Sequence, residues 1–258
     1  MSVHKIFVDS RYRTSGTVSD FVYDLPQPVD LPQNKRAFIT DLLVPVSWYT
    51  VPEGATLRYS VENLSPGFGS MNGLAQLVSG NYTRGEDLSD MLQTALNNSF
   101  KTQFPNIEPF ICAYDRVKNK LTIGIPGGVW KVIDQGSGFS IKGDPILDVI
   151  IPEQVPETLS QNHVFSVDLR RIHAVVITSA ELAGERVALG PFGSMSAIRR
   201  IPISVDYGKI QHFEGYAPSD AIDVGGRLLS RLHFRVCSVR GETIELNDIP
   251  IQFSIVFE

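Results

Sequence analysis

The chain has 258 residues, of which 43% are hydrophobic and 20% are charged, and its formal net charge is -5 at pH 7. This composition excludes a wholly disordered chain. The acidic balance gives no general reason to expect nucleic-acid binding, which normally shows as a basic domain or stripe. No apolar run approaches the roughly 20 residues that span a bilayer, and the first five residues lead into a strand pattern without the apolar segment of a signal peptide. The sequence therefore predicts a soluble protein that is made inside the cell.

Strand patterns fill the first 61 residues. Short runs at residues 6–9 and 21–25 are followed by a long run from Arg36 to Val51. Apolar residues at every second position predict one buried face of a strand. In the long run this face contains Phe38, Thr40, Leu42, Val44, Val46 and Trp48. A fourth strand is predicted from the alternation of Leu57, Tyr59 and Val61.

Residues 84–100 carry the one long helical pattern of the chain. Thr83 and Glu86 have the spacing of a capping box, in which the two side chains satisfy free amide groups at a helix N-terminus. The residues predicted to face a core recur at helical spacing and are Leu88, Met91, Leu92, Ala95, Leu96 and Ser99.

Shorter elements are predicted after the helix. Three strand patterns predict a small meander: Phe110–Tyr114, Leu121–Ile125 and Val129–Ile133. A helical turn is predicted at residues 145–149, and a link marked by Pro152 and Pro156 leads to the next strand pattern.

Strand patterns return from His163 onward. Phe165, Val167 and Leu169 alternate, and the run from Ile172 to Thr178 is apolar on both faces, which is typical of a buried strand. Residues 183–197 are predicted to form a loop. Three further strands are predicted: Ile198–Phe213 with Ile201, Ile203, Val205 and Tyr207 on one face, Leu228–Ser238 with Leu232, Phe234 and Val236 inward, and a last strand with Ile249, Ile251, Phe253, Ile255 and Phe257 on one face.

The number of strands predicts the fold class. Without residues 66–160, about eight substantial strands remain, which is the number in a jelly roll. We therefore predict an all-β protein, a single jelly-roll β-sandwich formed by residues 1–65 and 161–258. Residues 66–160 are predicted to be an α+β insertion on one connection between strands, with one main helix.

The search for reactive or ligand-binding residues gives none. The five histidines, His4, His163, His173, His212 and His233, lack metal-ligand spacing, and Cys112 and Cys237 are expected to be free buried thiols. The glycine-rich stretches lack the lysine and helix of a phosphate loop. Asp9, Ser10, Asp168 and His173 could be combined into a catalytic triad, but any chain of this size offers such combinations. The sequence assigns no catalytic, cofactor-binding or metal-binding residue, and it predicts that the protein is not an enzyme.

Basic and aromatic residues allow two interpretations each. The arm Arg11-Tyr12-Arg13 could contact nucleic acid or a neighbouring subunit, and the pairs Arg170-Arg171 and Arg199-Arg200 could line an interface. Solvated strand ends are the favoured interpretation because no continuous basic stripe forms. Four aromatic residues could stack on a glycan, although aromatic residues in strands are more often core residues: Trp48, Tyr49, Tyr82 and Trp130.

Eight segments, distributed over nearly the whole chain, are informative through their order and spacing. They are DSRYR at 9–13, DF at 20–21, AFITDLLVPVSWYT at 37–50, SGNYT at 79–83, FSVDLRRIHA at 165–174, SAEL at 179–182, LSRLHFR at 229–235 and QFSIVF at 252–257. Together they resemble the minor capsid (penton) proteins of virophages, polinton-like viruses and adintovirus-type elements. The chain departs from that pattern at Val236-Cys237-Ser238, where a Leu-Thr-Asp-like stretch is expected, and the kinship of the insertion is open.

The resemblance implies a single jelly roll that forms homopentamers at the vertices of an icosahedral capsid, among trimers of a double-jelly-roll major capsid protein. It implies a location in the virion. We expect the N-terminal arm, through Tyr12, to pack beneath the sandwich or against neighbouring capsomers. Insertion loops at residues 66–72 and 136–143 are the expected place for contact with a host receptor. The alternative interpretation is a jelly-roll module for glycan binding or host attachment.

Overall fold

The computed structural model contains two compact units. Unit 1 comprises Met1–Trp48 and Ile172–Glu258, and unit 2 comprises Tyr49–Arg171. The sequence-based division instead assigns residues 49–65 and 161–171 to the jelly roll. The residues that the structure describes are 5–63, 70–105, 110–124, 130–132, 140–142, 152–153, 162–170, 172–183, 188–190, 193–215 and 220–258.

The elements are numbered in chain order. The first part of unit 1 contains β1 (Lys5–Asp9), a 3-10 turn (Ser10–Tyr12), β2 (Ser15–Gly16), β3 (Asp20–Asp30) and β4 (Arg36–Pro45). Unit 2 contains β5 (Thr56–Asn63), β6 (Ser70–Gln76), α1 (Gly85–Lys101), β7 (Ile111–Asp115), β8 (Lys120–Gly124), β9 (Trp130–Val132), β10 (Ser140–Lys142), β11 (Pro152–Glu153) and β12 (Asn162–Ser166). The second part of unit 1 contains β13 (Ala174–Thr178), α2 (Ala180–Ala183), β14 (Ala188–Gly190), β15 (Gly193–Met195), β16 (Ala197–Pro202), β17 (Ile210–Phe213), β18 (Ile222–Asp223), β19 (Leu228–Ser238) and β20 (Gln252–Phe257).

Unit 1 is a sandwich of two antiparallel sheets. Sheet A has the order β1-β20-β4-β17, with β18 also paired to β4, and sheet B has the order β16-β13-β19-β3-β2. Apart from two-residue strands and the β14–β15 hairpin, the described part of unit 1 has eight strands, in chain order β1, β3, β4, β13, β16, β17, β19 and β20. Numbered one to eight, they are arranged 1-8-3-6 in sheet A and 2-7-4-5 in sheet B. This is the strand order of a single jelly roll, as the sequence predicts.

Aromatic rings from both sheets meet in the core of unit 1. The Phe234 ring centroid lies 5.5 Å from that of Phe21 within sheet B and 5.0 Å from that of Phe253 in sheet A. All three side chains are at most 2% exposed. The predicted inward residues of β19 are buried, and so is the predicted face of the last strand, except Ile249, which is 46% exposed and precedes β20.

The predicted inward face of β4 is wrong before Asp41, because the strand contains a β-bulge at that residue. Asp41 has a φ of 51°, and the register with β20 shifts so that Thr40 pairs with Ser254 while Leu43 pairs with Gln252. An extra residue in one strand reverses which side chains point inward. The residues of β4 in the core cluster are therefore Ala37 and Ile39 before the bulge, and Leu42 and Val44 after it.

Two other predictions for unit 1 are wrong. The run Ile198–Phe213 forms two strands in different sheets, β16 in sheet B and β17 in sheet A. Within β17 the Gln211 side chain is buried, and its carbonyl oxygen accepts hydrogen bonds from the backbone amide and the hydroxyl of Ser204, at 2.9 and 3.0 Å, which ties β17 to the segment that follows β16. The predicted loop at 183–197 contains the short antiparallel hairpin β14–β15.

In unit 2, helix α1 packs against β6 and β7. The predicted core residues of the helix are buried except Ser99. The predicted capping box is wrong, because the N-cap is Arg84 and no side chain caps the helix. Near the C-terminal end of α1, the buried side-chain amide of Asn97 joins the helix to the strand region that follows. It donates to the Phe110 carbonyl at 3.0 Å and accepts from the Phe110 amide at 2.9 Å.

The predicted meander is only partly correct. β7 and β8 form the expected hairpin, with Asn119 at a φ of 52° in its turn. The third strand, β9, pairs with β5 instead of β8, and β8 pairs with β12. The strand pattern at His163 therefore belongs to unit 2. The helical turn predicted at 145–149 lies outside the described residues.

Replacing Phe234 by Ala should lower the free energy of unfolding by about 3–5 kcal/mol. The ring bridges both sheets, so its removal leaves a cavity that neither sheet can fill. Denaturant unfolding followed by circular dichroism measures the change. The matched control is Leu228→Ala in the same strand, where the side chain is 66% exposed and a change within about 0.5 kcal/mol is expected. Equal losses for the two variants would contradict this description of the core.

Candidate assembly surfaces

The residues that could be combined into a triad are each held by other contacts or divided between the two units. Ser10 is fully buried, and its hydroxyl accepts a hydrogen bond from the Ile251 amide at 3.0 Å. Asp168 lies in unit 2 and accepts from the Arg170 amide at 2.8 Å, whereas His173 lies in unit 1. Partial burial raises the pKa of the Asp9 carboxyl, but hydrogen bonds from Arg11 outweigh this effect and hold the pKa below its usual range.

Two of the histidines, His212 and His233, each pair with one carboxylate. The His233 Nε2 atom lies 2.6 Å from Asp20, and the His212 Nε2 atom lies 3.3 Å from Glu214. Within the described ranges, no group of three or more His, Cys, Asp or Glu residues could hold a metal ion. No helix in the same ranges is long and apolar enough to cross a membrane. His4 and the side chain of His163 lie outside what the structure describes.

Both cysteines are free and buried, as predicted. Burial raises the pKa of the Cys112 thiol to about 12, and the carboxylate of Asp90 adds to the effect. Burial also raises the pKa of Cys237. A nucleophilic cysteine needs a lowered pKa and access to solvent, so these thiols have the properties of core residues.

The segment predicted as an N-terminal arm is folded into unit 1. β1 pairs with β20 along its whole length, and the 3-10 turn after it is fixed because the Ser10 amide donates to the Ile251 carbonyl at 3.0 Å. The Arg13 guanidinium donates to the carbonyls of Ser10 and Gly16, at 2.9 and 3.0 Å. From Lys5 onward the segment through Tyr12 therefore belongs to sheet A and the turn that follows β1, and its expected contact with neighbouring capsomers stays a prediction.

This folded segment presents two aromatic rings to solvent. Phe7 is 70% exposed and Tyr12 is 72% exposed. Each ring has a cation beside it: the Lys5 ammonium lies 4.9 Å from the Phe7 ring centroid and the Arg11 guanidinium lies 6.0 Å from that of Tyr12. Aromatic and arginine side chains are enriched at the energetic centres of protein interfaces. We call Lys5, Phe7, Arg11 and Tyr12 the β1 surface.

A second apolar group lies at the opposite edge of sheet A. Ile210 of β17 is 59% exposed, and Tyr207 in the preceding turn is 40% exposed. The turn is held in place, because the Gly208 amide donates to the Val46 carbonyl at 2.8 Å and the Val46 amide donates to the Lys209 carbonyl at 2.9 Å. We call Tyr207 and Ile210 the β17 surface.

The sequence predictions did not select Phe7 or Ile210. A signal exists for Phe7, because Ile6 and Val8 are buried and the alternation of β1 forces the ring between them to the outside. For Ile210, alternation with the predicted inward residues Ile201, Ile203 and Val205 indicates an outward side chain, but only the pairing of β17 with β4 shows that it stands on an edge strand.

The basic pair Arg199-Arg200 divides between interior and surface. Arg200 is exposed, but Arg199 is buried, bonds the Asp220 carboxylate and the Gly215 carbonyl, and lies 4.8 Å from the Phe213 ring centroid. Its Nε atom has no hydrogen-bond partner among the described residues. Arg199 therefore ties β16 to the segment after β17 and does not provide a nucleic-acid contact.

The aromatic residues considered for glycan stacking differ in exposure. Trp48 is 6% exposed and belongs to the core of unit 1, so it cannot stack on a ligand. Tyr49 is 37% exposed, and Tyr82 is partly buried with its hydroxyl donating to the Val78 carbonyl at 3.0 Å. The side chain of Trp130 lies outside the described residues.

Comparison with solved structures finds a fold similar to that of this chain. The crystal structure of the selenomethionine-labelled penton protein of mavirus is similar to this chain with a TM-score of 0.51 and 12% sequence identity, over 99% of this chain and 99% of that chain. No protein-family model and no curated protein sequence matches. The shared fold confirms the predicted single jelly roll and the predicted resemblance at the level of structure.

The raised pKa of Cys112 predicts a loss of stability in alkali. The unfolded thiol loses its proton near its ordinary pKa of about 9, whereas the native thiol keeps it until about pH 12. The stabilising difference is complete below pH 9 and is lost as the pH rises toward 12. Replacing Cys112 by Ala should lower the free energy of unfolding. This loss should be about 2 kcal/mol smaller at pH 11 than at pH 9, as measured by denaturant titration at each pH.

The control is Ile123→Val, on the strand that pairs with Cys112. It should cost about 0.5–1.5 kcal/mol at every pH, because no titratable group changes. A pH-independent cost of Cys112→Ala would contradict the prediction.

Proposed function

We propose that this chain is the vertex protein of an icosahedral viral capsid, where five copies close into a ring. The observation that carries the proposal is the similarity in fold to the mavirus penton protein, which extends over nearly the full length of both chains. The role is structural and needs no reaction centre. In the virion, the neighbours of the ring would be double-jelly-roll major capsid proteins. The proposal includes the predicted insertion on one connection of the jelly roll, which we identify with unit 2 (Tyr49–Arg171) instead of the predicted residues 66–160.

The two edge surfaces support a ring. A closed ring of identical copies uses heterologous contacts, in which one surface of each copy binds a different surface of the next copy. The β1 surface and the β17 surface lie on the edge strands of one sheet, because sheet A has the order β1-β20-β4-β17. We therefore propose that the β1 surface of one copy contacts the β17 surface of its neighbour.

Rigid placement favours such contacts. Ser10 fixes the turn that carries Tyr12, and backbone hydrogen bonds to Val46 fix the turn that carries Tyr207. Surfaces that are ordered before association lose less conformational entropy when they bind. The favourable free energy of burying Phe7 and Ile210 at an interface is therefore not reduced by an entropy cost of ordering a loop.

Native mass spectrometry of the full chain, alone and co-expressed with its major capsid protein, tests the proposal. We expect a species of five times the monomer mass. Phe7→Ser and Ile210→Ser should each weaken ring formation at least about tenfold, because every contact in the ring uses both surfaces. Both side chains are exposed, so the free energy of unfolding of the monomer should change by less than about 0.5 kcal/mol.

A mixture of the two variants distinguishes a ring from a symmetric dimer. A Phe7→Ser copy keeps its β17 surface and an Ile210→Ser copy keeps its β1 surface, so the mixture should give one-to-one heterodimers and no rings. The control is Val117→Ser in unit 2, where the side chain is 95% exposed and assembly should not change. A chain that stays monomeric beside its major capsid protein, or variants that assemble normally, would contradict the proposal.

A further inference from the structure

Unit 2 contains a groove between helix α1 and strand β6 that takes no part in the proposed ring. Its volume is about 680 Å³. This volume lies within the range of sites that hold small molecules in proteins. β6 is an edge strand among the described residues, and it pairs only with β5 there, so the groove opens along that edge.

The helix side of the groove is a row of polar side chains. Asp90, Thr94 and Asn98 recur at every fourth position on one face of α1, and Thr102, the residue directly after the helix, continues the row. All four are exposed. The Thr94 hydroxyl donates to the Asp90 carbonyl at 2.8 Å and the Thr102 hydroxyl donates to the Ser99 carbonyl at 2.6 Å. The lone pairs of both hydroxyls therefore remain able to accept from a ligand.

The strand side of the groove adds further amides. Asn72 and Gln76 of β6 are exposed and line it, and Gln103 lines it beyond the end of the helix. With the residues that the structure describes, the side chains of Asn72, Asn98 and Gln103 form no hydrogen bonds. Each carboxamide offers two donors and an acceptor, so Asn72 on the strand side and Asn98 and Gln103 on the helix side border the groove with unused donors and acceptors. The Gln76 amide nitrogen donates to the Ala55 carbonyl at 3.4 Å.

The floor of the groove is rigid and mostly apolar. Met91 and Ala95 are at most 8% exposed, and Tyr59 is 3% exposed. The Tyr59 hydroxyl donates to the Ser99 hydroxyl at 3.1 Å, which in turn donates to the Leu74 carbonyl at 2.9 Å. This chain links β5, α1 and β6. A fixed apolar floor with polar walls is the arrangement in which a few directed hydrogen bonds give specificity.

The charge of the groove limits its ligand. None of the described lining residues is Lys, Arg or His, and Asp90 is their only charged group. A phosphate, a sulfate or a sialic acid would therefore bring a second negative charge beside Asp90 without a cation to offset its desolvation. A neutral polyol meets no such penalty, because its hydroxyl groups donate to the carboxylate and accept from the amides.

We infer that the groove between α1 and β6 binds a neutral oligosaccharide. Hydroxyls on successive units of an oligosaccharide match the Asp90 carboxylate and the Asn98 carboxamide, which stand about two helical turns, or roughly 12 Å, apart. The partly buried Tyr82 ring, at the end of the groove near Val78, gives an apolar face for the C–H groups of a sugar. A peptide strand is the less suitable occupant, because the Leu74 carbonyl of β6 already accepts the Ser99 hydroxyl.

The experiment uses the full chain on an array of neutral oligosaccharides and of sialylated, sulfated and phosphorylated ones, followed by calorimetry with the strongest neutral ligand. We expect binding to neutral members alone. Asn98→Ala and Asp90→Asn should each lower the affinity about tenfold, since each removes hydrogen bonds to the sugar. Gln103→Ala is the third groove variant, and unchanged thermal unfolding of each variant establishes that it is folded.

Asp87→Asn is the matched control, because Asp87 is an exposed carboxylate of the same helix outside the groove. Its affinity should equal that of the unmodified chain. Absence of binding to any neutral oligosaccharide overturns the inference, and so does binding restricted to anionic sugars or to extended peptides. Equal affinity of the groove variants and the unmodified chain overturns it as well. Ring formation is independent of all these outcomes, so it separates this site from the proposed vertex role.

Discussion

The burial of two apolar sheet faces against each other is the constraint on which unit 1 depends. Phe21 and Phe234 from sheet B and Phe253 from sheet A form one aromatic cluster, and the strands on either side extend it. The inner faces of the two sheets are buried against each other. Only the edge strands and the outer faces of the sheets are therefore accessible to other molecules. The positions of Phe7 and Ile210 follow from this: they stand on edge strands, opposite in direction to their buried neighbours.

Strand order determines how the two edges relate. The jelly-roll connection brings the first strand, β1, beside the last, β20, and leaves β17 at the other end of the sheet. The same molecule therefore has two different edge surfaces, which is the requirement for heterologous contacts in a ring. Local anchors such as Ser10 and Gln211 hold those edges in place. The buried Arg199 adds a tie between β16 and the segment after β17, and removal of its carboxylate partner would leave a buried charge unpaired.

Unit 2 has its own core and a different chemistry. Helix α1 packs its apolar face against strands of this unit, and Asp90, Thr94 and Asn98 form a polar row beside that face, along the groove next to β6. The chain reaches unit 2 between the third and fourth jelly-roll strands, so the unit can vary without disturbing the order of the sandwich. The proposed ring contacts, at the edges of unit 1, and the proposed sugar site, in the groove of unit 2, therefore use different parts of the chain.

The sequence by itself determined the fold class, since alternation in β19 and β20 and helical spacing in α1 reflect burial of one face of each element. Only the tertiary structure decided matters that depend on pairing between distant segments. The bulge at Asp41 changes the inward face of β4, and the chain after Ile203 passes from sheet B to sheet A. Alternation along a chain records which residues avoid water, but not which strand lies beside which, and the edge positions of Phe7 and Ile210 depend on that pairing.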